Sequence, residues 1–88
     1  MSKGRIGQEW ARIIQNGAIE TQVRDVIEAI NRFSHAERAN GASIMVACAQ
    51  ILGQSIVDAG PDIASEMRSG LMALIDGYAM KVAAITTP

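Results

Sequence analysis

One histidine, one cysteine and a short series of carboxylates are the side chains here that could do chemistry. Histidine is the residue type that ordinarily titrates near neutrality, so a general acid or base role would fall first on His35. Its neighbours in sequence offer it little. Ser34 is adjacent and cannot face it on a helix, and the Glu37 carboxylate is better used in a helix cap. Cys48 would need nearby positive charge to act as a thiolate nucleophile, yet it lies in an apolar run ten positions from Arg38. Asp58, Asp62 and Glu66 recur every four residues, but Gly60-Pro61 breaks their register, and dipole electrostatics at a helix start explains Asp62 and Glu66 without a cation. Gly4-Arg5-Ile6-Gly7 lacks the third glycine and the preceding strand of a phosphate-binding loop. Met45, Met67, Met72 and Met80 fall at helical spacing, which fits core packing better than an adaptable binding groove. No catalytic residue, metal ligand or cofactor is therefore expected, and the chain reads as a non-enzyme.

Charge narrows the class of partner. A formal net charge of -1 provides no general field for a phosphate backbone, and aromatics at 3% leave no base-stacking platform. Nucleic-acid binding is disfavoured. A small regulator using the basic N-terminal residues Lys3, Arg5 and Arg12 stands as the alternative function, although no turn is followed by a helix rich in base-reading side chains.

With 88 residues the chain has room for one small helical domain over 1–88. A single cysteine excludes a disulfide framework and fits a reducing, cytoplasmic setting. The charged residues after position 7 replace the apolar stretch of a signal peptide, so no secretion signal is expected. The longest uncharged run, 39–57, approaches membrane-spanning length but contains Asn40, Ser43, Gln50, Gln54 and Ser55, which disfavours insertion.

These residues must be positioned by helices, because alanine is abundant and no stretch alternates apolar and polar residues. The expected fold is all-α, a small antiparallel bundle of one short N-terminal helix and three longer ones. Trp10, Ile13 and Ile14 share a face of the first helix, between Gln8 and Gln15, which Asn16-Gly17 should end. Ile19, Val23, Val26, Ile27, Ile30 and Phe33 form a second stripe pointing roughly opposite, so one straight helix could not bury both. A capping box at Ser34 and Glu37 predicts a new helix start, since continuing the helix would carry Glu37 into the buried stripe. A break at Asn40-Gly41 with Ser43 as cap is the alternative. The segment 42–57 is apolar nearly all round and is expected to pack between neighbours. Gly60 should terminate it, and Pro61 should open a last helix over about 62–84.

A chain this small, with neither disulfide nor metal cage, gains little stability from its own core. The apolar faces of the two last helices are wider than a small bundle can cover. Gly53, Gly70 and Gly77 lie inside helices, where a glycine costs about 1 kcal/mol and is tolerated where backbones approach closely. A symmetric homodimer is therefore expected, with Leu52, Gly53, Ile56, Gly70, Leu71, Leu74, Gly77 and Tyr78 at its interface. The function expected is a protein–protein interaction and oligomerisation module, an adaptor or regulatory accessory protein that also engages a further protein partner.

Overall fold

The computed structural model describes residues 3–86, and all its regular structure is helical: α1 (Lys3–Gly17), α2 (Glu20–Glu37), α3 (Gly41–Ala59) and α4 (Ala64–Thr86). The chain divides into two compact units. One joins 1–17 to 59–88 and the other spans 18–58.

In the first unit, α1 packs along α4 through small residues. Gly7 and Ala11 on α1 and Gly70 on α4 are buried, flanked by half-buried Ile6, Trp10 and Ile14. A Cβ at Gly70 would stand 2.7 Å from the Trp10 Cβ and 3.0 Å from the Trp10 carbonyl carbon, so only glycine permits this approach. On the facing helix, a Cβ at Gly7 would lie 3.1 Å from the Ser69 carbonyl oxygen. Helix α1 begins earlier than its Trp10, Ile13 and Ile14 stripe predicts, because Gly4 and Gly7 lie inside it. Gly7 looks like punctuation in the sequence, but its missing side chain serves the crossing. As expected, α1 ends at Gly17.

In the second unit, α2 runs straight through Ser34 to Glu37, which corrects the expected break at Ser34. Glu37 is exposed, so continuing the helix buries no charge. Ser34 contributes its carbonyl to the helix end, where it accepts from the amides of Arg38 and Ala39, the latter at 3.0 Å. Arg38 takes the left-handed conformation at φ 51° that glycine usually supplies. The break falls at Asn40-Gly41, and the cap is Asn40 and not Ser43: the Asn40 side-chain oxygen accepts from the Ser43 amide at 2.8 Å. No residue of α2 or α3 is buried, and the two helices make no contact comparable to that of α1 with α4. Within this unit α3 is therefore not packed between neighbours.

Gly60 ends α3 at φ 100°, as its position predicts. Helix α4 begins at Ala64, later than expected. Residues 61–63 form a turn in which the Ile63 amide donates to the Gly60 carbonyl at 3.4 Å.

Candidate functional site

His35 lies exposed in the last turn of α2. A broad depression there is lined by Asn31, Ser34, His35, Ala36 and Arg38, a set that brings no carboxylate or thiol to the imidazole. Cys48 is half-buried on α3 with its thiol free. Asp58 is exposed and accepts from the Gln54 amide nitrogen at 2.9 Å. Among the described residues no three of His, Cys, Asp and Glu gather into a metal-holding group. In the N-terminal basic segment Arg5 lies 3.6 Å from Glu9, one turn along α1, which offsets part of the positive charge there. The side chain of Lys3 is outside the described residues.

The other recess of note lies within the first unit, a space of about 140 Å³ bordered by Gln8, Gln15, Leu74, Gly77, Tyr78 and Lys81. The Gln15 amide nitrogen donates to the Tyr78 hydroxyl at 3.3 Å, and the Lys81 ammonium sits 5.8 Å from the Tyr78 ring centroid. The Gln15–Tyr78 bond joins α1 to the edge of α4, the Lys81–Tyr78 contact lies within α4, and neither is a pair of groups suited to proton transfer.

Among the eight expected interface residues, Gly70 is engaged within the chain, pressed against α1. Gly53 and Gly77 have open space where a Cβ would be. Leu52, Ile56, Leu71 and Leu74 are half-buried and Tyr78 is 53% exposed. The more open surface belongs to the second unit. Ile19, Val23, Val26, Ile27 and Phe33, with Met45, Val46, Ile51 and Val57 of α3, are each between 45% and 71% exposed. At roughly 100 Å² a side chain, the five on α2 and its N-cap expose on the order of 500 Å² and the four on α3 on the order of 400 Å², each within the range of the largest apolar patch of a monomer, which is often functional.

The two helices present different kinds of face. On α2 and its N-cap, residues 19, 23, 26, 30 and 33 follow alternating steps of four and three that make a coiled-coil seam, with Ile27 flanking it. Arg24, Asp25, Glu28, Asn31, Arg32 and His35 occupy the opposite side. On α3 the apolar arc is wider, interrupted by a strip containing Ser43, Gln50 and Gln54. By length and composition α3 could cross a membrane, with a mean hydropathy of 1.4 and none of it buried. The α2 seam had a clear signal in the sequence, its stripe, but the expected interface put the weight on α3 and α4, whose glycines suggested close approach.

Comparison with family models, with curated proteins and with solved structures finds no match.

Proposed function

We propose that this chain is a non-enzymatic self-association module whose helical bundle is completed by a second copy, as a scaffold for an adaptor or regulatory role. The observation that carries this reading is the uncovered apolar surface of α2 and α3, in a unit with no buried residue. Removing such surface from water contributes about 25 cal/mol per Å², and a second copy can remove it. A second copy is always present at the chain's own concentration and carries the same faces, so a symmetric pair satisfies both at once. Leu52, Gly53 and Ile56 on α3 belong to the same unit as this surface, whereas Gly70 on α4 serves the contact with α1.

The length and hydropathy of α3 favour a second reading, association with a lipid bilayer. Gln50, Gln54 and Ser43 on one strip, with Asp58 at the helix end, weigh against insertion. Light scattering at about 10 µM separates the two. The module reading predicts a soluble particle of twice 9.4 kDa that stays behind when phosphatidylcholine vesicles are floated. A 9.4 kDa particle, or quantitative flotation with the vesicles, overturns it.

A further inference from the structure

We infer that the α2 seam is the surface through which two copies meet and that the two α2 helices run antiparallel. This rests on the self-association reading and specifies its geometry. Ile19, Val23, Val26, Ile30 and Phe33 make two heptads of core positions, and the next core position is Glu37. A parallel pair would set Glu37 against the partner's Glu37, two carboxylates at the negative ends of two helices. An antiparallel pair in which Val26 opposes the partner's Ile30 and Val23 opposes the partner's Phe33 brings Glu37 beside the partner's Ile19 instead. Ile19 is the N-cap residue of α2, and it supplies no side-chain hydrogen bond to the first turn. That turn carries Glu20 together with the free-end amide donors and the positive end of the helix dipole, and Arg24 follows one turn on. An arriving Glu37 therefore meets both signs of charge, whereas a parallel pair sets carboxylate against carboxylate at two negative ends. Each copy thus places Glu37 at the dipole-positive start of the other's α2, twice by symmetry.

The seam's area is adequate for this contact. Its exposed core positions Ile19, Val23, Val26 and Phe33, with flanking Ile27 and half-buried Ile30, offer roughly 500 Å² a side, which reaches the 1,000 Å² or so in total that a specific interface needs. The flanking positions Gln22, Ala29 and Ala36 are uncharged, so the two helices meet without like-charge opposition along that edge.

Crosslinking tests the orientation. In a Cys48→Ala background, Gln22→Cys and Ala36→Cys place single thiols at exposed positions beside opposite ends of the seam. Antiparallel pairing sets position 22 near the partner's position 36 but separates like positions by about 21 Å along the axis. A bismaleimide reaching about 10 Å should therefore join the two variants only after they are refolded together. Efficient crosslinking of either variant alone establishes parallel pairing and overturns the inference. A particle of dimeric mass that crosslinks in no combination shows that copies meet elsewhere, which overturns the inference and leaves self-association standing. A 9.4 kDa mass for the unsubstituted chain overturns both.

Discussion

At the scale of single residues, the best-determined feature is the absence of a side chain at Gly70. The atoms that a Cβ would meet include backbone atoms of Trp10 and Ala11, at 3.0 and 3.1 Å, and backbone cannot move aside by rotating about a χ angle. Gly70→Ala should therefore lower stability by about 1–3 kcal/mol, although alanine is the better helix former. Gly77, two turns further along α4, has open space at the same construction, so Gly77→Ala should raise stability by up to about 1 kcal/mol. Thermal unfolding of the pair followed by circular dichroism checks both. Equal effects would mean that helix propensity, and not the α1 crossing, governs these positions. The sequence marks both glycines as tolerated costs inside a helix, but the composition of α4 does not say which one touches a neighbour. That depends on where α1 crosses, and the other half of the crossing, Gly7, reads as a loop residue when viewed alone.

At the scale of elements, the four helices were legible in the periodicity, and so were the ends of α1 and α3, because Gly17 and Gly60 leave no ambiguity about where regular backbone stops. The end of α2 was not legible. Two adequate signals compete there, a capping box at Ser34 and Asn-Gly at position 40, and choosing between them required knowing whether Glu37 would be buried. It is exposed in the single chain because the stripe it extends is uncovered. The observed junction is held by the Asn40 cap on one side and by left-handed Arg38 on the other. Asn40→Ala should lose about 1 kcal/mol with the bond to the Ser43 amide. Arg38→Gly should gain up to about 1 kcal/mol, since glycine adopts that conformation without a Cβ penalty. Denaturant titration reads both; a gain for Asn40→Ala or a loss for Arg38→Gly would show that this junction is not what limits α2 and α3.

At the scale of the whole molecule, the sequence carries wide apolar stripes on its long helices, and within the second unit no side chain of α2 or α3 is buried. The sequence assigned the shared face to α3 and α4 on the strength of their glycines. The structure draws attention to α2, whose exposed seam has the regular spacing that a second helix of the same kind can match. What the periodicity could not show is how much of each stripe the chain itself would cover, since that depends on contacts between elements far apart in sequence. Amide hydrogen exchange along the chain at about 100 µM reads the covering of α2 and α3 by a second copy, because it reports on each helix separately. With a second copy covering them, amides across 20–37 and 41–59 should be protected to a degree comparable with those of α1 and α4. Fast exchange throughout 20–59, beside slow exchange in 3–17 and 64–86, would contradict it.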